Sequence, residues 1–163
     1  RPNFITDDEL FEIYSLRNKD CKLVIISDSC HSGTVTRMGP VLGTGPVRKA
    51  RFLAPETFLP EAELKKLGTT NTRAFRSASP PGRYAGLLMA GCQDKQVSFD
   101  AEFGNKANGA FTFAALQALK KLKASASYAE WFDAITKKLP SEDYAQTPNL
   151  FGSATMKKWK VFA

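Results

Sequence analysis

Six consecutive residues, Asp28-Ser29-Cys30-His31-Ser32-Gly33, gather a carboxylate, a thiol, an imidazole and two hydroxyls among small side chains. A cysteine so placed is either a small buried hydrophobe or a thiolate nucleophile. The neighbours favour the nucleophile, because small side chains let a substrate backbone come close and nearby backbone N–H groups can cradle a developing oxyanion. Cys30 is therefore the candidate nucleophile, Cys30 and Gly33 the candidate oxyanion donors, and Ser29 a substrate neighbour. A thiol of pKa about 8.5 still needs a base or a positive neighbour to ionise and aim it. His31 is the only histidine in the chain. Adjacent side chains at a strand end point to opposite faces, so His31 is badly placed to take the Cys30 proton. The partner imidazole is missing from this chain.

The elements around the motif explain how it is presented. Lys22 to Ser27 is a short, β-branched, continuously apolar run, which predicts a strand buried on both faces of a parallel sheet. The polar cluster follows at its carboxyl end, where ligands bind in open α/β sheets. Upstream, Thr6 is a candidate cap for a helix with Asp7, Asp8 and Glu9 in its first turn, Thr6 and Glu9 forming a capping box. Leu10, Ile13, Tyr14 and the Arg17 stem should make its buried stripe, and the helix should end near Asn18 to Asp20. Downstream, Tyr84 to Met89 predicts a second strand, with Asp94, Gln96 and Ser98 after its end as groove-shaping residues. After Asp100, Glu102 and Gly104 a polar loop is expected. A helix from about Gly109 to Lys123 and another from Ser127, as cap, to Leu139 before Pro140 come next, with Trp159 to Phe162 as a last strand.

Length and composition bound the rest. The chain has 163 residues, 43% hydrophobic and 24% charged, which fits one ordinary globular domain and excludes collagen, coiled coil and wholesale disorder. Its longest apolar runs fall far short of the roughly 20 residues that span a bilayer. Cys21, Cys30 and Cys92 are too few and too irregular for a disulfide framework or a four-ligand zinc site, so reduced thiols and a cytoplasmic address are expected. Cys21 and Cys92 lack a polar cluster like that of Cys30 and are read as structural. The N-terminus has neither Met nor a signal pattern and reads as a piece of a longer chain. The net charge of +7 is concentrated in residues 37–83, which hold nine basic and three acidic side chains, six of the nine prolines and five of the eleven glycines. That composition predicts an exposed basic linker sustaining neither helix nor strand for long. A nucleic-acid arm is disfavoured, since no recognised binding motif accompanies the charges.

The run Asp28 to Gly33 after an apolar strand resembles the nucleophile motif of metacaspases and orthocaspases, in the caspase-like cysteine peptidase clan. Ala90 to Ser98 resembles the start of that family's small-subunit region, Asn108 to Ala114 its next helix start, and Gln146 to Leu150 its C-terminal loop. The resemblance implies an α/β caspase-like three-layer fold, a mostly parallel central sheet flanked by helices, here without its first strands. Residues 1–36 would be the end of the large-subunit region, 37–83 a linker or activation loop, and 84–163 the small-subunit region, together one domain.

The implied activity is a peptidase cleaving after Arg or Lys. Asp28, two before the nucleophile, would line the pocket for the basic side chain, and a carboxylate suits a guanidinium or ammonium. The family's catalytic His lies upstream of the motif, so the expected partner is an N-terminal fragment of the same precursor, which would also cover an unpaired sheet edge. Arg48, Lys49, Arg51, Arg73, Arg76 and Arg83 become candidate self-cleavage sites of a zymogen. Calcium-dependent members use aspartates matched here by Asp7 and Asp8, plus one past the nucleophile whose place is taken by Arg37. A cation there opposes a site needing roughly six to eight oxygen ligands, so no metal or other cofactor is expected. The expected partners are protein or peptide substrates with Arg or Lys, neither nucleic acid nor membrane. The alternatives are an inactive caspase-like binding or scaffold module and, last, a basic nucleic-acid-binding domain.

Overall fold

The computed structural model describes residues 7–18, 20–29, 49–50, 57, 59–70, 86–93, 96, 98–103 and 106–163. In chain order it runs α1 (Asp7–Ser15), β1 (Val24–Ser27), β2 (Lys49–Ala50), α2 (Glu61–Thr70), β3 (Leu87–Ala90), β4 (Phe99–Phe103) and β5 (Lys106–Gly109). It continues through α3 (Ala110–Leu119), α4 (Tyr128–Thr136), β6 (Asn149–Phe151) and α5 (Ala154–Lys157).

One sheet has the order β1-β3-β6 and the other β2-β4-β5. β1 and β3 run parallel, with Val24 opposite Leu87 and Ser27 opposite Ala90. β6 lies antiparallel on the far side of β3, so the described sheet is mixed where the sequence suggested a mostly parallel one. β3, not β1, is the strand buried on both faces: all four of its residues are buried, whereas β1 sits at the edge and is only partly covered. Both runs are short and apolar, and only their neighbours distinguish them. At the β1–β3 junction Gly86 is required, because a Cβ there would overlap the Leu23 carbonyl oxygen.

The core lies between β3 and the α3–α4 pair. Phe111, Leu87, Met89 and Ile135 are fully buried in it, each contributing about 1.5–3 kcal/mol relative to exposure. Trp131 Nε1 donates to the Ala115 carbonyl at 2.9 Å, joining α4 to α3 while satisfying its one donor. α4 starts where expected, at Ser127, and does so with a full capping box to Glu130.

Several expectations are corrected. Trp159 to Phe162 is not a strand: it follows α5, and only Lys160 forms an isolated bridge, to Ser127. The last strand is β6, which overlaps the stretch read as a C-terminal loop at Asn149 and Leu150. Where a polar loop is expected after Gly104, Lys106 to Gly109 instead forms β5 and pairs antiparallel with β4. α1 ends at Ser15, earlier than expected, and its stripe is only partly covered, Leu10 and Ile13 being exposed and Tyr14 and Arg17 half-buried. Cys21 is exposed, not a core thiol. Within 37–83, β2 and α2 form despite the loop-like composition. Glu61 and Glu63 favour the first turn of α2, where acids complement the helix dipole, and Pro60 sits just ahead of it. Thr6, the candidate cap of α1, lies outside the described residues.

Candidate active site

The carboxyl ends of β1 and β3 and the start of β6 meet at one edge of the sheet, since Ser27 pairs with Ala90 and Ala90 with Asn149. The ladder runs one step further, the Gly91 N–H donating to the Ser27 carbonyl at 2.8 Å. Asp28 and Ser29 leave the sheet here, immediately ahead of Cys30.

The Asp28 carboxylate is held by two other elements. Ser98 Oγ donates to its Oδ1 at 2.6 Å, and Thr112 donates to Oδ2 through its backbone N–H at 3.1 Å and its hydroxyl at 2.5 Å. Thr112 lies in the first turn of α3, whose N-cap is Gly109, a residue with no side chain to cap with. Asp28 supplies the acceptor that the cap lacks, from 84 positions earlier in the chain, and its charge suits the positive end of the helix dipole. Gly91 makes room for this approach: a Cβ there would lie 2.9 Å from Phe111 Cβ and 3.1 Å from Asp28 Oδ1.

Two glutamines and a cysteine support this arrangement from behind. Gln146 is fully buried (0% exposed) and each end of its amide is used. Its Nε2 donates to the Gly91 carbonyl at 2.9 Å and to Ser98 Oγ at 3.4 Å, while its Oε1 accepts from Phe99 N–H at 3.0 Å. An amide N–H only donates, so Ser98 Oγ accepts on that side and turns its own proton to Asp28. Gln96 joins the same region from the loop after β3: its Oε1 accepts from Thr147 N–H at 2.7 Å and its Nε2 donates to Thr147 Oγ1 at 3.0 Å. The buried Cys92 thiol donates to the carbonyls of Ser29 and Gln96, each at 3.7 Å, the structural role expected of it.

The structure thus brings Asp28, Ser98 and the residue before Cys30 together. Ser98, expected to shape a groove, is fully buried and acts from behind the surface. Thr112 and Gln146 carried no role in the sequence reading, although both lie in segments that resembled family motifs. Ser29 is exposed, 2.9 Å from Ser27 through their hydroxyls. Of the remaining predicted residues, Cys30, Gly33, Asp94, Arg37, Arg48, Arg51, Arg73, Arg76 and Arg83 lie outside the described residues, as do the side chains of Asp7, Asp8 and Lys49. The Lys49 backbone pairs with Asp100 in the β2–β4 ladder.

Comparison with known proteins places this geometry. The caspase domain family matches residues 2–159. The chain belongs to that family. Metacaspase-1 of Mycosarcoma maydis is 32% identical over 91% of this chain and 42% of its own length. Metacaspase-1A of Aspergillus fumigatus is 28% identical over 90% of this chain and 40% of its own length. A crystal structure of a Geobacter sulfurreducens protein superposes with a TM-score of 0.63 at 27% identity, over 96% of this chain and 57% of that one. The chain therefore spans about two fifths of the length of these metacaspase relatives. The α/β class and the caspase-like architecture expected from the nucleophile motif are those of the caspase domain. Among the described residues no helix is long and apolar enough to cross a membrane.

Proposed function

We propose that this caspase domain is the nucleophile-bearing part of a cysteine endopeptidase that cleaves after Arg or Lys. The observation that carries the reading is the Asp28 carboxylate, fixed at the end of β1 two residues ahead of Cys30. An oriented anion at that spot favours a guanidinium or ammonium on the residue preceding the scissile bond. Ser29 and Asp94 border the same substrate.

In the proposed reaction the Cys30 thiolate attacks the scissile carbonyl carbon, and the displaced electron pair moves to the oxygen, cradled by the Cys30 and Gly33 N–H groups. Collapse expels the amine, which takes its proton from an imidazolium. Water, deprotonated by the resulting imidazole, cleaves the thioester, releasing the acid and restoring the thiolate–imidazolium pair. That imidazole is supplied by an N-terminal fragment of the same precursor. The single, poorly placed histidine of this chain and the edge position of β1 in the described sheet, where Ile26 is exposed, support that partner. Activation follows self-cleavage within 37–83, at one of the basic residues of the class Asp28 would accept. Arg37 supports a metal-independent reaction, and reduced thiols support a cytoplasmic setting.

The test is the intact mass of the purified native protein treated with an arginyl peptide bearing a thiol-reactive warhead. One adduct on Cys30, none on Cys30→Ala, and no processing of 37–83 in that variant are the expected results. A co-purifying fragment that contains a histidine should accompany them. Absence of labelling with that fragment present would favour a caspase-like binding or scaffold module, a reading that the bonding of Asp28 within its own domain would then support.

A further inference from the structure

Asp28 is not simply placed at the strand end; it is gripped by residues that lie mostly behind the surface. Ser98 and Gln146 are fully buried, and Thr112 is partly covered at the start of α3. Donation runs one way through them, from the Gln146 amide to Ser98 Oγ and from the Ser98 hydroxyl to Asp28 Oδ1, while Thr112 holds Oδ2 with two donors. Each carboxylate oxygen is thereby anchored from a different element, Oδ1 from the approach to β4 and Oδ2 from α3. A carboxylate held at both oxygens cannot rotate about χ2 without breaking one of these bonds. Gln146 is in turn fixed by the Gly91 carbonyl and the Phe99 N–H, so the Ser98 hydroxyl has its direction set from below.

We propose that Ser98, Thr112 and Gln146 are positioning residues of the basic-side-chain pocket, which hold the Asp28 carboxylate in the orientation that receives Arg or Lys. This rests on the pocket reading given under Proposed function and adds the residues that set its selectivity. The physical basis is preorganisation: an anion already oriented loses little freedom when the cation docks, so donors that orient it raise affinity for the charged side chain without touching it. Removing one such donor loosens the anion while leaving its charge in place. The effect should therefore fall on substrate capture more than on the chemistry at Cys30.

The experiment uses the full-length protein and fluorogenic peptides with Arg or Lys before the cleaved bond, comparing wild type with Thr112→Val, Thr112→Ser, Ser98→Ala and Asp28→Asn. Thr112→Val keeps the backbone donor and the side-chain shape but loses the hydroxyl. It should raise KM for the Arg peptide about fivefold to tenfold, with a smaller change in kcat. Thr112→Ser restores the hydroxyl and should bring KM back to within about twofold of wild type. Ser98→Ala should raise KM in the same way as Thr112→Val. Asp28→Asn removes the charge itself and should raise KM at least about thirtyfold.

The outcomes separate the two readings. If Asp28→Asn raises KM but Thr112→Val and Ser98→Ala leave it unchanged, the positioning inference fails and the pocket stands. If Thr112→Val and Thr112→Ser lower kcat equally with no change in KM, the hydroxyl is a structural tether and the inference is again overturned. If Asp28→Asn leaves Arg and Lys cleavage intact, the pocket reading itself falls, and the positioning role with it.

Discussion

Ile26 of β1 and Met89 of β3 face each other across one parallel ladder and point to the same side of the sheet, yet Ile26 is 44% exposed and Met89 is fully buried. The same contrast extends outward. Beside β3 stand α3 and α4, closed around Phe111, Trp131 and Ile135, whereas α1, preceding β1, leaves Ile13 and Leu16 in contact with solvent. Among the described residues, the β3 side of the sheet is closed over and the β1 side is only partly covered. Burial is a property of what lies over a strand, here α3 and α4 over β3.

The largest expected effect tests that contrast directly. Met89→Asn loses a buried side chain and strands an amide in the core, and should cost about 4 kcal/mol or more, while Ile26→Asn across the ladder should cost less than about 1 kcal/mol. Urea unfolding of both variants measures the difference, and similar losses would mean that β1 is covered as well as β3. The comparison of caps gives a smaller effect. Ser127 accepts from Glu130 N–H at 3.3 Å, and Glu130 Oε2 accepts from Ser127 N–H at 2.8 Å, so Ser127→Ala should destabilise the closed side by about 1 kcal/mol, read from the urea midpoint.

The smallest effect is a pH dependence. The Ser127 backbone N–H, then its hydroxyl, hold the Glu130 carboxyl below its ordinary value of 4.5, with Lys123 adding to the shift. A folded-state value below the unfolded one stabilises the fold above the unfolded value, and that contribution is lost as pH falls through the lowered folded value. Glu130→Gln should flatten this portion of the acid limb in a thermal melt series. An unchanged limb would assign the acid sensitivity to other groups.

What could be read locally was read well. The strand before Asp28, the strand before Gly91, the start of α3 near Gly109 and the Ser127 cap all follow from short apolar runs, helical stripes and cap residues, which act over a few positions. The failures share a cause. β1 was expected to be interior, the α1 stripe buried, and the last strand at Trp159 to Phe162, because apolar character marks what can be buried without saying which neighbour arrives. The β4–β5 hairpin is legible in part, since Phe99-Asp100-Ala101-Glu102-Phe103 alternates apolar and polar residues as a half-buried strand does, but Lys106 to Gly109 carries no such pattern and joins only by pairing with β4.

At the candidate site the division is sharper. Cys30 and Asp28 stand out in the sequence because a thiol and a carboxylate beside small residues at a strand end carry their chemistry in their side-chain types. Thr112 and Gln146 do not, and Ser98 is legible only as a residue near the groove, since a hydroxyl or an amide gains such a role only from its partner. Asp28 meets Thr112 across 84 positions, and Gln146 meets Gly91 across 55. The sequence by itself determined the nucleophile motif, the main apolar strands and the helix starts, all governed by local stereochemistry and periodicity. The tertiary structure alone decided which strand became interior and which donors close on Asp28, because burial and long-range hydrogen bonds exist only after distant segments pack together.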